Sequence, residues 1–383
     1  MVRTREITKP RAALLANVRR LVVKVGSGVL TRGGVQLMPR VLGQLSGELC
    51  DLKRGGREIV LVSSGAIAAG SHRLGRSRRP AGLAGKQAAA AVGQTHLIWM
   101  YEKSFMRRGQ KVGQILLTRE DLADRQRYLN ARHTLFELLR LGVIPIVNEN
   151  DSVAVDEIQF GDNDLLSALV TNLVEADLLV ILTDTEGLYD RDPRRHRRAR
   201  LIDHMSAEGG TAEAGGPSGS GVGGMRSKLE AARQAAAYGV PTIIANGRRR
   251  GALARILNGE TVGTLVQPRE RSLGSRKHWI AYTLMPAGSI VVDAGAEKAI
   301  TRGGKSLLAS GVRALRGKFK VGDCVAITLE DGREFARGMA SYSSTELKWI
   351  KGRRSGEIVK VLGYHSGDEV VHRDDLVVLE SSA

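Results

Sequence analysis

Short apolar runs alternate with helical patterns through the first two thirds of the chain. The runs are continuous and rich in Val, Ile and Leu, as expected of parallel strands that are covered on both faces. We therefore predict an α/β domain, a three-layer sandwich with helices on both sides of a largely parallel sheet. The predicted strands cover residues 20–26, 58–65, 112–118, 143–151, 177–184 and 240–246, and the predicted helices cover 39–53, 127–141, 164–175 and 225–238, with a long alanine-rich segment after residue 65.

Nearly every predicted strand ends in small or polar residues. Because ligands of parallel α/β sheets gather at the carboxyl ends of the strands, a binding site at that edge explains the pattern economically. Turns alone explain single cases, but they explain the acidic and amide-rich end of the fourth strand poorly. The strand ends are Gly26-Ser27-Gly28, Ser63-Ser64-Gly65, Thr118-Arg119, Asn148-Glu149-Asn150-Asp151, Thr183-Asp184 and Asn246-Gly247.

The pattern changes after residue 285, where short runs of alternating apolar and polar residues take over. Asp331-Gly332 lies between two such runs and predicts a hairpin turn. The sequence therefore predicts a second, small, β-rich domain. The predicted segments are a basic N-terminal extension at 1–18, the α/β domain at 19–268, a linker at 269–285 and the β-rich domain at 286–375.

The net charge of +18 raises the question of a nucleic-acid partner. Much of the excess lies in short arginine clusters at 72–79, 191–200 and 247–250, which are bounded by turn residues and are typical of solvated loops. Residues 276–383 hold 17 Lys and Arg against 13 Asp and Glu, and only 4% of the chain is aromatic. Because base stacking needs aromatic side chains, the composition gives RNA binding little support.

The two cysteines, Cys50 and Cys324, fall in different predicted domains, and the histidines show no ligand spacing. We therefore expect a reduced, cytoplasmic protein without a disulfide framework or structural zinc. The chain has no apolar run of about 18 residues, so we expect no membrane span.

The first predicted strand carries a lysine, Lys24, just before Gly26-Ser27-Gly28. The turn matches neither the dinucleotide-binding pattern, which needs a glycine where Thr31 stands, nor the Walker pattern, which needs lysine where Gly34 stands. We expect the amides of Gly26-Ser27-Gly28 to face a phosphate, and Lys24 to supply the cation from the strand. Taken alone, Lys24 is explained as well by a lysine that extends to solvent at a strand end.

Two further segments carry candidate chemistry. The glycine-rich stretch 209–224 leads into a strong helical pattern, where free backbone amides and Lys228 favour an anion; we interpret it as a lid over polyphosphate rather than a plain linker. Residues 146–170 concentrate carboxylates and amides that suit a small zwitterion, the holding of lysines, or Mg²⁺. Phosphoryl transfer needs mainly positioning and cations, and a carboxylate such as Asp164 would orient two lysines that repel one another.

These residues resemble the glutamate 5-kinase family of the amino acid kinase superfamily. The motifs that carry the resemblance run in order from about residue 20 to 268, and a later block resembles the PUA domain that many bacterial members carry. Each motif is short, but their order is specific. The first group comprises "VVKVGSGVL", "VSSGAIAAG", "KQAAAAVGQ", "QILLTREDLADRQRYLNARHTL", "PIVNENDSVAV", "FGDNDLLSALV", "ILTDTEGLYDRDP" and "GGMRSKLEAA", and the later block comprises "SIVVDAGAEKAI", "KSLLASGVRAL", "FKVGDCVAI" and "VHRDDLV".

The resemblance implies transfer of the ATP γ-phosphoryl group to the side-chain carboxylate of L-glutamate, with Mg²⁺, as the first step of proline synthesis. It also implies feedback inhibition by proline, homo-oligomerisation through the kinase domain and functional coupling to glutamyl phosphate reductase. The implied catalytic residues are Lys24, Lys228 and Asp164, and the implied glutamate contacts are Ser64, Asp151 and Asn163. The implied ATP contacts are Lys24, Thr183, Asp184, Val222, Gly223, Gly224, Met225, Arg226, Ser227 and Lys228.

The chain departs from the family pattern at the predicted lid. Val222 stands where members commonly have threonine, which removes one hydroxyl, and Ser227 replaces a common threonine. Acetylglutamate, carbamate, aspartate and uridylate kinases share the architecture, but their first loops differ and they usually lack the PUA block. An RNA-binding protein is the alternative from another class, because PUA domains elsewhere accompany RNA-modifying enzymes.

Overall fold

The computed structural model describes residues 11–153, 163–193, 195–207, 224–268, 280, 284–364 and 367–379. The chain divides into two compact units, residues 1–272 and residues 273–383. Leu15 and Val18 precede the predicted start of the α/β domain, yet both are buried in its core. Among the described residues, no helix is long and apolar enough to cross a membrane.

The first unit is built on an eight-stranded sheet of order β10-β12-β11-β7-β1-β4-β6-β5. All pairs from β11 to β5 are parallel, and β12 runs antiparallel to β11. The six strands predicted from sequence are β1, β4, β5, β6, β7 and β11. The strands of this unit are β1 Arg20–Val25, β2 Thr31–Arg32, β3 Gln36–Leu37, β4 Glu58–Ser63, β5 Val112–Leu117, β6 Ile144–Glu149, β7 Leu178–Thr183, β8 Leu188–Tyr189, β9 Leu201–Ile202, β10 His204–Ser206, β11 Thr242–Asn246 and β12 Thr264–Gln267.

Helices cover both faces of this sheet, as predicted, and the alanine-rich segment after residue 65 forms two of them, α4 and α5. The helices of this unit are α1 Arg11–Leu15, α2 Ser27–Leu30, α3 Pro39–Arg54, α4 Ala66–Arg73, α5 Leu83–Met106, α6 Arg119–Ala123, α7 Arg125–Arg140, α8 Asn163–Leu173, α9 Met225–Ala237 and α10 Ala252–Leu257.

The alternation of side chains along β1 decides which face receives its lysine. Leu21, Val23 and Val25 point into one core cluster, and Val22 points into the other, which also contains buried residues of α8 and α9. Because successive strand residues point to opposite faces, Lys24 shares the face of Val22. The strand thus directs Lys24 toward the two helices that carry Asp164 and Lys228.

Two glycines allow α4 and α5 to touch through their backbones. A Cβ added at Gly70 would lie 1.7 Å from Ala89 O, and one added at Gly93 would lie 1.8 Å from Ala66 O. No side chain can occupy those positions, so the contact requires glycine in both helices. The close crossing brings the middle of α5 next to the ends of β4 and β6.

The second unit contains a five-stranded sheet of order β15-β13-β16-β17-β19 and a separate β14-β18 pair. The predicted hairpin joins β16 to β17, and Gly332 has φ +87° in its turn, a conformation that favours glycine. The prediction of a β-rich C-terminal domain is confirmed. Its elements are β13 Gly288–Val292, α11 Ala294–Thr301, β14 Leu307–Leu308, β15 Val312–Gly317, β16 Cys324–Thr328, β17 Glu334–Met339, α12 Ser344–Ile350, α13 Ser355–Leu362, β18 Glu369–Val371 and β19 Leu376–Val378.

Candidate active site

Three charged side chains meet at the carboxyl edge of the large sheet. Lys24 Nζ donates to Asp164 Oδ1 at 2.5 Å, and Lys228 Nζ donates to Asp164 Oδ2 at 3.1 Å. Lys24 comes from β1, Asp164 from the first turn of α8 and Lys228 from the first turn of α9. The structure brings the three residues together as predicted, and their roles in catalysis stay predictions.

All three side chains are buried. Lys24 is 1% exposed, Asp164 0% and Lys228 5%. A lysine that extends to solvent would expose its ammonium group, so the burial of Lys24 excludes that interpretation. Together the three side chains carry one net positive charge in a poorly solvated place, which suits an anionic partner.

The turn after β1 provides fewer free amides than its sequence predicts. Gly26 N donates to Leu182 O at 3.1 Å, so the expectation that this amide faces a phosphate is wrong. Ser27 and Gly28 open the short helix α2, where the first N–H groups have no intrahelical partner. A Cβ at Gly26 would lie 3.6 Å from Lys24 Nζ, so glycine keeps the space beside this ammonium group open.

The start of α9 is joined to the charged cluster by a hydroxyl. Gly224 is the N-cap, and the Ser227 hydroxyl lies 2.8 Å from both Asp164 Oδ2 and Gly224 O. Met225 is partly buried and Arg226 is exposed in the same turn. The predicted contacts Val222 and Gly223 lie outside the described residues.

Thr183 is the last residue of β7, which flanks β1 on the side away from β4. The Thr183 hydroxyl donates to Asp184 Oδ1 at 3.3 Å. Beyond them, Glu186 Oε1 accepts from Asn246 Nδ2 and from Arg249 Nε, both at 3.0 Å. These contacts join the loops after β7 and β11, and no pattern in the sequence predicted them.

The predicted glutamate contacts lie after β4 and β6. Ser64 Oγ is buried, and no hydrogen-bond partner for it occurs among the described residues. Burial raises the pKa of Asp151 to about 6, and the nearby Arg79 guanidinium opposes that rise. A buried hydroxyl without a partner and a desolvated carboxylate are groups that a polar ligand would satisfy.

Asn163 belongs to a chain of three side-chain amides, of which Asn163 and Asn148 are buried and Gln94 is partly exposed. Its Nδ2 donates to Ser63 O at 2.8 Å and to Asn148 Oδ1 at 2.6 Å. Asn148 Nδ2 donates to Gln94 Oε1 at 2.7 Å, and Tyr101 OH lies 2.9 Å from Ser63 Oγ. Sequence reasoning gave Gln94 and Tyr101 no role. Their spacing of seven residues on α5, which places both on one face, is the signal that could have found them.

A cavity of about 390 Å³ lies between α5 and the carboxyl ends of β5 and β6. Both Gln94 and Asp151 line it. Its polar wall therefore combines Gln94, at one end of the chain of amides, with Asp151, the carboxylate predicted to bind substrate.

The described side chains include no group of three or more His, Cys, Asp or Glu that could hold a metal ion. The described side chains therefore do not form a metal cage by themselves. A Mg²⁺ ion that enters with a nucleotide is held largely by phosphate oxygens and water, so it needs few protein ligands.

Residues 19–246 match the amino acid kinase family, and residues 288–362 match the PUA domain. The chain is 53% identical over 372 residues to "Glutamate 5-kinase" of Geobacter sulfurreducens, covering 96% of this chain and 100% of the relative. It is 54% identical over 373 residues to the enzyme of the same name from Geobacter metallireducens, again covering 96% and 100%. The relative of that name from Azoarcus sp. is 53% identical over 367 residues, covering 95% and 99%. The chain therefore belongs to the glutamate 5-kinase family of amino acid kinases and carries the PUA domain at its C-terminal end.

Proposed function

We propose that this enzyme transfers the γ-phosphoryl group of ATP to the side-chain carboxylate of L-glutamate, as the names of its relatives suggest. The observation that carries the proposal is the buried cluster in which Asp164 holds Lys24 and Lys228, one on each carboxylate oxygen. Such a cluster supplies fixed cations where negative charge passes between two oxygens.

In the proposed reaction a γ-carboxylate oxygen of glutamate attacks the terminal phosphorus of ATP in line. A new O–P bond forms, the bond to the β-phosphate oxygen breaks, and ADP leaves with the electron pair. Lys24 and Lys228 stabilise the negative charge on the transferring group, and Asp164 keeps both ammonium groups in place without taking part covalently. The product is L-glutamyl 5-phosphate, an acyl phosphate.

The two substrates fit different parts of the carboxyl edge of the large sheet, on either side of β1. We assign the nucleotide to Thr183, Asp184 and the first turn of α9, and glutamate to Ser64, Asp151 and Asn163. ATP would enter as its Mg²⁺ complex.

The finer expectations about pathway and partners belong to the same proposal. They are the first step of proline synthesis in the cytoplasm, inhibition by proline, a homo-oligomer, coupling to glutamyl phosphate reductase, and the domain limits 19–268 and 286–375. RNA binding by the C-terminal unit remains the alternative for that domain.

Hydroxylamine trapping tests the reaction, because it converts an acyl phosphate into a hydroxamate. We expect the purified protein to form the hydroxamate from L-glutamate and Mg-ATP. Comparable turnover with N-acetylglutamate or aspartate, and none with glutamate, would overturn the assignment. Salt-dependent RNA binding by the full chain, lost when the C-terminal unit is removed, would favour the alternative for that unit.

A further inference from the structure

The amide chain at the ends of β4 and β6 has a direction that two backbone groups fix. Ser63 O is a carbonyl oxygen and can only accept, so the atom of Asn163 that faces it at 2.8 Å must be Nδ2. Glu149 N can only donate, so the atom of Asn148 that faces it at 2.9 Å must be Oδ1. Neither side-chain amide can flip without placing like groups against each other.

That direction is passed along the chain of amides. The second hydrogen of Asn163 Nδ2 goes to Asn148 Oδ1 at 2.6 Å, so Asn148 turns Nδ2 toward Gln94 and donates to its Oε1 at 2.7 Å. Both hydrogens of Asn163 Nδ2 are therefore used within the protein. The polar side-chain atom of Asn163 that these two bonds do not use is Oδ1, a hydrogen-bond acceptor.

Gln94 and its helix hold this arrangement from one side. Gln94 lies on α5, beside Gly93, whose backbone contact with Ala66 fixes the position of the helix. Seven residues later on the same face, the Tyr101 hydroxyl lies 2.9 Å from Ser63 Oγ, where both side chains are fully buried. Both residues that accept hydrogen bonds from Asn163 are thus held by α5: Ser63 by Tyr101, and Asn148 by Gln94.

We propose that Gln94 is a positioning residue that sets substrate specificity. By accepting from Asn148 Nδ2, its Oε1 keeps the Asn148 side chain where Asn148 Oδ1 receives the Asn163 hydrogen, and Asn163 then presents Oδ1 to the α-ammonium group of the amino-acid substrate. The inference rests on the proposed function, because it concerns the recognition of glutamate. An ammonium group has three donors and no acceptor, so it needs the acceptors that Asn163 Oδ1 and the Asp151 carboxylate provide. Asp151 lines the same cavity as Gln94.

The test compares two ligands that differ only in the group at issue. Glutarate has both carboxylates of glutamate but lacks the α-ammonium group. Dissociation constants for both, measured by calorimetry on the full-length protein, give a glutamate preference that does not depend on turnover. Hydroxamate formation by the unchanged enzyme is measured in parallel, so a failure of the proposed function is seen separately.

Gln94→Met has nearly the same length but lacks the amide acceptor, so it leaves Asn148 Nδ2 without its partner. We expect the preference for glutamate over glutarate to fall about tenfold, since a lost or misdirected hydrogen bond in a buried site has roughly that effect on an equilibrium. Glutarate binding should change little. Gln94→Glu keeps an acceptor oxygen at the same place and should retain most of the preference.

Gln44→Met is the matched control, because it makes the same exchange on α3, outside the amide chain, and should leave the preference unchanged. Melting curves check that each variant is folded. Because Gln94 is partly exposed, we expect both Gln94→Met and Gln94→Glu to fold. Equal weakening of glutamate and glutarate in Gln94→Met would show a merely structural role and overturn the inference. So would an unchanged preference, or a loss in Gln94→Glu as large as that in Gln94→Met.

Discussion

Two largely buried groups of polar side chains lie at the carboxyl edge of the sheet, and they are built in different ways. The cluster of Lys24, Asp164 and Lys228 uses full charges, whereas the chain of Asn163, Asn148 and Gln94 uses neutral amides. Charges act strongly in a poorly solvated site but have little direction, which suits a phosphoryl group whose charge moves during transfer. Amides distinguish donor from acceptor, which suits recognition of a substrate whose groups must be told apart.

The boundary between the two groups falls between neighbouring residues. Asn163 and Asp164 are the first two residues of α8, and both are buried. Asn163 points to the ends of β4 and β6, while Asp164 points to β1 and α9. Substitutions that exchange charge for amide at these two positions therefore test the comparison most directly.

The largest effect is expected from Asp164→Asn. The amide cannot balance two buried ammonium groups, and removing one partner of a buried ion pair costs about 3–5 kcal/mol. The free energy of unfolding from urea denaturation should fall by that amount. Asp51→Asn is the control, because Asp51 pairs with Arg54 at the exposed surface and should change stability by about 0.5 kcal/mol or less. Equal losses in both variants would show that burial of the charge does not matter.

Lys228→Ala should act on catalysis rather than on substrate selection. Losing a fixed cation that acts mainly in the transition state lowers kcat by about 10²-fold or more. The KM for glutamate should change much less, since the substrate contacts lie on the amide side. Lys103→Ala, which removes a lysine lying over the exposed Trp99 ring, is the control. An unchanged kcat in the Lys228 variant would remove it from the catalytic group.

Asn163→Asp should act on the other side of the boundary. A carboxylate has no hydrogens for Ser63 O and Asn148 Oδ1, so oxygen atoms would face each other at both contacts. We expect the KM for glutamate to rise about tenfold or more, with little change in the KM for ATP. Asn130→Asp on the exposed side of α7 makes the same exchange and should have no effect. If the KM for ATP rose instead, the division between the two sides would be wrong.

The smallest effect is expected in the pH profile of the substrate side. Asp151 must be ionised to accept from an ammonium group, and burial raises its pKa to about 6. The kcat/KM for glutamate should therefore fall as the pH drops below about 6. Arg79→Met removes a positive charge that lowers the pKa of Asp151, so this acidic limb of the kcat/KM profile should move to higher pH. A limb near pH 4, close to the usual pKa of a glutamate side chain at about 4.3, would instead report the substrate.

The fold followed from the sequence where the pattern was periodic. The six predicted strands appear because buried parallel strands need continuous apolar runs, and the helix beginning near residue 164 appears within one residue of its predicted start. The lysine in β1 stood out because that run is otherwise apolar. Gly26 was misjudged because its N–H turned inward to Leu182 O, and a sequence does not record which way an amide points.

The sequence by itself determined the α/β sheet, the β-rich second domain, the family and the charged residues that meet at the sheet edge. These follow from local periodicity and from residue types whose chemistry leaves few alternatives. Only the tertiary structure decided that Asn163 uses its amide nitrogen within the protein rather than its oxygen, and that Gln94 is the acceptor for Asn148. The reason is physical: Asn163 takes its direction from a carbonyl on β4, and Asn148 takes its direction from the N–H group of the next residue on β6. The bonds that join Asn163, Asn148 and Gln94 exist only after α5, β4, β6 and α8 have packed together.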